Sequence, residues 1–474
     1  MKYIFLLVSF AASQSTIFGQ EKWDLKKCVQ FAIENNISVR QSDLQTRFSK
    51  LIVDQNLLSR YPSLNFQPSG GFRLGRSENP TTGVLEDNNF LSAGFNLNSS
   101  VSVFNWFSKR NTIESNQLIH EADRAAVNKV KDDIALNVAV AFLQILLTRE
   151  QTKLSEIQIA QTKFQLENTQ KQVNAGVLPE INAAELEAQL ARDNSALVTA
   201  VASVQQQILQ MKALLNLDAS VDFDIESPPV DRIPMDALAD LQPESVYKMA
   251  LANLPQQKVN ELRMLSAKKS VDAAKGFMYP NISMFGGLGS NYVNIKFPEF
   301  NQGPKKITGA TVNVSGTDYN VMSPSFIIAG EKAIPFGEQM NKNFSQNIGV
   351  SMNIPIFNGG SAKTNWKRTQ LVVNQWELQK EADDQKLKQD IYRAFIDAVT
   401  SLEKFNASKK SVQTAERLYD FSKKRFEVNL LSTFELINSQ NSLLRAKIDL
   451  LYAQFDHVFK MKMLEFYKGQ GLKL

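Results

Sequence analysis

Two kinds of hydrophobic spacing divide the chain. From Val127, the apolar positions Val130, Ile134, Val138, Ala141 and Ile145 follow at steps of three or four, and Leu147, Leu154, Ile157 and Phe164 continue the row. That is the narrow stripe of a long helix with a coiled-coil-like seam. Elsewhere the period is two. Phe95, Leu97, Val101 and Val103 alternate with Asn96, Asn98, Ser100 and Ser102. Ile348, Val350, Met352, Ile354 and Ile356 alternate with Asn347, Gly349, Ser351, Asn353 and Pro355. Such runs predict strands with one apolar and one polar face. They suit a transmembrane β-barrel, and an amphipathic strand of a soluble sandwich has the same periodicity.

The same grammar occurs twice. Cys28-Val29-Gln30-Phe31-Ala32-Ile33-Glu34-Asn35 aligns with Val246-Tyr247-Lys248-Met249-Ala250-Leu251-Ala252-Asn253 at an offset of 218, and the same offset carries Tyr61-Pro62 onto Tyr279-Pro280. Further on, Val101-Ser102-Val103-Phe104-Asn105 aligns with Ile354-Pro355-Ile356-Phe357-Asn358, and Ala141-Phe142 with Ala394-Phe395, at an offset of 253. Matches in order at two constant offsets predict a duplication, with an excess of 35 residues inserted between 284 and 354. The expected boundaries are a leader over 1–19, a first repeat over 20–217, a linker over 218–242 and a second repeat over 243–474.

Each repeat opens with a helical segment, about 26–60 and 243–278, broken by Tyr-Pro. A strand hairpin follows, about 63–104 and 281–357, enclosing polar stretches at 73–89 and 291–343 that read as loops. Then come long helices over 109–174 and 361–427, about 99 and 100 Å at 1.5 Å per residue. The turns at 175–180 and 428–433 carry Gly176 and Asn429, which tolerate the left-handed conformation after a helix end. Pro179 and Ser432 suit the start of the next helix. The return helices, 180–215 and 433–467, are half as long, as are the opening ones. Two halves stacked end to end match one long helix.

The N-terminus has the order of an export signal: Lys2, an apolar core from Tyr3 to Ala12, then Ile17-Phe18-Gly19-Gln20 with cleavage expected after Gly19. The core is too short to span a bilayer, which takes about 20 residues. With no Cys near the cleavage point, a lipid-anchored N-terminus is not expected. In 474 residues there are only 21 Gly and 15 Pro, in keeping with long helices, and 43% hydrophobic content rules out global disorder. The net charge is +5 and its short basic runs, Lys409-Lys410 and Lys423-Lys424-Arg425, read as solvated helix faces, not a nucleic-acid site. One Cys and two isolated His, His120 and His457, supply neither a disulfide nor a metal site, so no metal or cofactor is expected. Cys28 falls at an apolar helix position and reads as a small buried hydrophobe. The pairs Gly70-Gly71 and Gly286-Gly287 lack phosphate-loop context and read as strand bends. No Ser/His/Asp, Cys/His or paired-carboxylate arrangement supports catalysis.

Taken together, the chain resembles the TolC family of outer-membrane efflux and secretion channels over essentially its whole mature length. The marks are Trp23-Asp24-Leu25 followed by Cys28-Val29, Ala32 and Asn35-Asn36; Tyr-Pro before a strand, twice; Ile354-Pro355-Ile356-Phe357-Asn358-Gly359-Gly360; and the two tip turns. The resemblance implies a mainly α fold with a transmembrane β-barrel contribution. It implies TolC-like coiled-coil hairpins, four strands per chain, and a homotrimer sharing a 12-stranded barrel and a periplasmic tunnel of roughly 100 Å. Four strands cannot close a barrel alone, because known single-chain barrels start at about eight.

The resemblance also implies roles. Gly176, Val177, Leu178 and Pro179, with Asn429, Leu430, Leu431 and Ser432, match tips that dock a periplasmic adaptor; local packing within the turn is the other reading of the apolar ones. Asn182 and Glu185, and Glu435 and Asn438, match positions that constrict the pore. Ser432-Thr433-Phe434-Glu435 equally fits a capping box. Trp106 and Phe107 replace the Gly359-Gly360 of the second repeat. They fit a membrane-interface girdle or packing between barrel and helices. The implied partners are an adaptor (membrane fusion) protein, an inner-membrane RND, ABC or similar pump, and outer-membrane lipid of a Gram-negative bacterium, with a long periplasmic extension. The function so implied is passive exit of cargo in tripartite efflux or type I secretion. The competing expectation is a periplasmic coiled-coil structural or adaptor protein without a pore, and an enzyme comes third.

Overall fold

The computed structural model describes residues 22–78, 84–87, 89–229, 233–428 and 430–469. The expected leader and the tip residue Asn429 lie outside the described residues. In chain order the elements are α1 (Leu25–Asn35), α2 (Ile37–Leu58), β1 (Ser63–Arg73), β2 (Arg76–Glu78), β3 (Leu85–Asp87), β4 (Phe90–Phe104), α3 (Ser108–Asn174) and α4 (Ile181–Leu215), then α5 (Pro243–Asn253), α6 (Pro255–Gly276), β5 (Asn281–Val293), β6 (Lys296–Val314), β7 (Thr317–Ala333), α7 (Phe336–Lys342), β8 (Ser345–Asn353), α8 (Ser361–Glu427) and α9 (Thr433–Phe466).

Local chemistry sets the ends. Asp24 caps α1, its carboxylate accepting from the Lys27 amide at 2.7 Å. The opening helix of each half is broken after 11 residues and continues for 22. In the first half the break is Asn36, whose extended backbone is held by its side chain: Oδ1 accepts from Ser38 N and Nδ2 donates to Leu214 O. In the second it is Leu254, driven out of helical geometry by Pro255, which then serves as the first residue of α6. Different residues produce the same step.

The chain forms two compact units. The first comprises Met1–Leu51, Asn116–Ala267 and Val372–Leu474. It holds two apolar cores. One gathers Cys28, Ala32, Val138, Ile145, Ile208 and Met211, among others. The other gathers Val246, Ala250, Ile391, Ala398, Met461 and Leu464. The pairs Cys28/Val246 and Ala32/Ala250 are separated by the offset of 218, and Val138/Ile391, Ile145/Ala398, Ile208/Met461 and Met211/Leu464 by 253. Burial, with a smaller contribution from the Asp24 carboxylate, pushes the Cys28 thiol up to about 12, which keeps it protonated and inert.

The second unit comprises Ile52–Ser115 and Lys268–Leu371. Its main element is an antiparallel sheet in the order β1-β4-β5-β8. Register places Leu64, Phe66, Leu97, Val101, Met284, Leu288, Ile348, Val350 and Met352 on one face. The other face carries Asn65, Gln67, Ser69, Asn96, Asn98, Ser100, Gly287, Gly289, Asn347 and Ser351. A side chain at Gly287 would meet the Asn347 amide oxygen at 2.7 Å and that of Asn98 at 3.0 Å, so glycine there admits two crossing amides.

Three details depart from the sequence reading. The stretch 291–343, expected as a loop, holds the β6–β7 ribbon and α7. Three bulges, at Glu299/Phe300, Gly303/Lys306 and Ile307/Thr311, erase the period-two signature, and the ribbon closes through a two-residue turn, Ser315-Gly316, with positive φ at both. The stretch 73–89 likewise carries a small pair, β2 and β3. Finally, β8 ends at Asn353, so Ile354 and Ile356 lie beyond the strand; Pro355 has no N–H to continue a ladder.

Leu464 is fully buried in the second core. Leu464→Ala is expected to cost about 2–5 kcal/mol, read as a lowered midpoint when unfolding is followed by circular dichroism.

Candidate functional site

Sheet edges, strand-to-helix junctions and hairpin tips carry the features that need explanation. Strands β1 and β8 are each paired on one side only. Each edge continues into a helix with an uncovered apolar row. On α2, Ile37, Leu44, Leu51 and Leu58 recur every seven residues with Phe48 beside them, all exposed. On α8, Leu371 and Leu378 do the same. Such seams await partner helices.

At the junction from β4 to α3, Trp106 and Phe107 have φ of 52° and 60°. Gly359 and Gly360, their counterparts before α8, have φ of 65° and 77°. The backbones run alike: Ser108 N donates to Asn105 O and Asn111 N to Phe107 O, as Ser361 N does to Asn358 O and Thr364 N to Gly360 O. Glycine takes this path freely, whereas a residue with a Cβ loses roughly 1–2 kcal/mol. The Trp106 ring lies 4.9 Å from that of Tyr279 and 5.4 Å from that of Phe104, and Phe107 meets Phe104 edge-on at 5.7 Å. Trp106 and Phe107 nonetheless remain 42% and 57% exposed.

The tips are built by paired helix-stop signals. Gly176, at φ 69°, lets Gly176 N donate to Val173 O and Val177 N to Gln172 O, the double bond of a Schellman end. Leu430 N donates to Arg425 O at the equivalent step. The helix starts that follow differ. Glu180 precedes α4 without a side-chain cap. Ser432 and Glu435 form a complete capping box on α9: Ser432 Oγ accepts from Glu435 N, and Glu435 Oε2 accepts from Ser432 N at 3.1 Å. These hydrogen bonds hold the Glu435 carboxyl below its ordinary value.

Val177 and Leu430 are exposed, while Leu178 and Leu431 are half-buried, so only one of each apolar pair stands free. Pro179 and Ser432 are exposed. Ile181 and Phe434, also 253 apart, are exposed as well and were missed by the sequence reading; an apolar residue opening both return helices at the same offset was the available signal. Asn182 and Glu185 are half-buried on α4, and Glu435 and Asn438 are exposed on α9.

Farther from the turns, a buried polar cluster ties α3, α4 and α9. Thr162 Oγ1 donates to Asp193 at 2.6 Å, Gln189 Nε2 to Asp193 at 2.7 Å, and Gln440 Nε2 to Thr162 at 3.1 Å. Gln165 Nε2 donates to the Tyr419 hydroxyl on α8 at 2.8 Å. Single polar residues inside helical stripes gave no sign of this cluster, because the contacts that join α3, α4 and α9 link residues 31 and 278 positions apart.

Long helical hairpins joined to a two-faced sheet with unpaired edges define the class of outer-membrane channels. A family model for outer membrane efflux proteins matches residues 28–217 and 246–457, and the chain belongs to that family. It is similar to the outer membrane efflux protein BepC of Brucella suis biovar 1 (strain 1330), with 21% identity over 429 residues covering 90% of this chain and 81% of BepC. Its fold is that of solved channels. CusC matches with a TM-score of 0.76 at 16% identity, over 94% of this chain and 92% of that one. VceC from Vibrio cholerae gives 0.70 at 15%, over 94% and 96%. The open MtrE channel of Neisseria gonorrhoeae gives 0.70 at 17%, over 95% and 89%.

The capping box makes a pH-dependent contribution. Because the folded Glu435 carboxyl titrates below the unfolded value of about 4.3, the contribution is present above that pH and is lost as pH falls through the lowered folded value. Amide exchange at the start of α9 is therefore expected to accelerate on acidification through this range, and in Glu435→Ala to be fast throughout.

Proposed function

We propose that three copies of the chain join through β1 against β8 of the neighbour and through the seams on α2 and α8, forming a passive exit channel across the outer membrane. The observation that carries this reading is the sheet: one apolar face, one face of Ser, Asn and Gly, and two unpaired edges. The apolar face suits lipid and the hydrophilic face an aqueous lumen. Two copies would give eight strands, an interior filled by side chains at about that number. Three copies give 12 strands and room for cargo, in agreement with the family resemblance.

The α3–α4 and α8–α9 hairpins are then the periplasmic extension. Val177, Ile181, Leu430 and Phe434 are the docking knobs for an adaptor protein, on a frame of Gly176, Leu178, Pro179, Asn429, Leu431 and Ser432. An inner-membrane pump of the RND, ABC or similar type supplies the energy. Asn182, Glu185, Glu435 and Asn438 constrict the pore. Glu435 serves as cap and pore ligand together, since its carboxylate is exposed while it caps. Trp106 and Phe107 stand at the periplasmic membrane interface. The halves 20–217 and 243–474 are two copies of one unit joined by 218–242; the two cores built from residues at constant offsets support that organisation.

The purified protein is expected to run as a trimer by native mass spectrometry and to conduct in a planar bilayer, where Glu435→Ala with Asn438→Ala raises single-channel conductance. A monomer that does not conduct overturns the channel reading. A trimer with unchanged conductance in the double variant removes these residues from the constriction.

A further inference from the structure

The left-handed pair at Trp106 and Phe107 is not required for the junction to form. Its counterpart is Gly359-Gly360, which follows the same backbone path with the same two hydrogen bonds and without strain. The chain thus has a strain-free solution for this junction and uses it in one half only. Two of the largest side chains occupy the strained positions in the other half, and both keep a substantial exposed surface, 42% for Trp106 and 57% for Phe107.

The sheet shows what these rings continue. By strict alternation Phe104 would share the polar face with Ser100 and Ser102. The β4–β5 register shifts between Ser102 and Phe104, so that Phe104 pairs with Ile282, on the apolar face beside Met352. Through Phe104, and from there to Trp106, Phe107 and Tyr279, the apolar face extends past the end of the strand as an aromatic patch. Indole and phenyl rings at the edge of an apolar band have a preferred solvent, the boundary of headgroups and upper acyl chains.

We propose that Trp106 and Phe107 form a lipid-dependent pair: insertion of both rings into the phospholipid interface offsets the left-handed backbone, so this junction takes its shape only in a bilayer. The inference rests on the reading of the sheet as a barrel wall. In the membrane, the lipid contact fixes the first strand-to-helix junction. The second, built on glycine, is formed with or without lipid.

Two measurements test the pair. With Trp23, Trp366 and Trp376 changed to Phe, Trp106 is the sole indole. In vesicles of phosphatidylcholine brominated high on the acyl chains, its fluorescence is expected to fall at least twofold relative to unbrominated vesicles. Undiminished emission from protein that still conducts overturns the pair and leaves the channel reading intact. The second measurement is the yield of trimer when urea-unfolded chain folds into phosphatidylcholine vesicles. Strain relief alone predicts that Trp106→Gly with Phe107→Gly folds better than the native chain. The lipid-dependent pair predicts a yield at least threefold lower, restored to within twofold by Trp106→Tyr with Phe107→Tyr, which keeps both strain and interfacial rings. A double-glycine yield equal to or above the native one, or no rescue by tyrosine, overturns the proposal.

Discussion

An unpaired strand edge in hydrocarbon is the constraint on which the rest of the structure depends. Along β1 and β8 about half of the backbone groups, about twenty in all, lack a partner among the described residues. Each would cost several kcal/mol in lipid. Their sum exceeds the 5–15 kcal/mol by which folded proteins are typically stable. The sheet is therefore viable in a membrane only as part of a closed ring. The uncovered seams on α2 and α8 follow from the same topology, because those helices continue the two edge strands.

The two halves stay alike in their cores and differ at their tips and junctions. The paired cores keep apolar residues at constant offsets, and the half-length helices break at the same step, once through Asn36 and once through Leu254-Pro255. The tips and junctions differ. One return helix starts without a side-chain cap and the other with a full capping box. One junction is Trp-Phe and the other Gly-Gly. In the proposed channel these departures fall at the hairpin tips and the strand-to-helix junctions, the surfaces assigned there to the adaptor and to lipid.

Much of this was legible in sequence because the relevant signals are local. A 3.6 or 2.0 period, a Gly or Pro stop and a Ser-x-x-Glu start each lie within a few residues, and α8 runs from Ser361 to Glu427, the expected bounds. The β6–β7 ribbon was illegible because its bulges shift the side-chain phase three times. The buried cluster of Thr162, Asp193, Gln189 and Gln440 was illegible for another reason: 278 residues separate Thr162 from Gln440, and no periodicity joins them. Of the apolar tip residues, Val177, Ile181, Leu430 and Phe434 stand free while Leu178 and Leu431 are half-buried, a distinction that depends on turn geometry and not on residue type.

The polar face of the sheet has a consequence for transport. From Asn65 to Ser69, Ser92 to Ser102, Asn281 to Asn291 and Ser345 to Asn353, its residues carry no ionisable group, and Arg73, at the end of β1, adds a cation to the same face. A stretch of hydroxyls, amides and glycines, with the Phe285 ring among them, bears no charge of its own, so in the proposed channel charge along this part of the wall would enter at the Arg73 end. Sorting of cargo by charge then falls to the two ends, Arg73 at one and Glu185 and Glu435 at the other, and the stretch between them acts as an indifferent, hydrated sleeve.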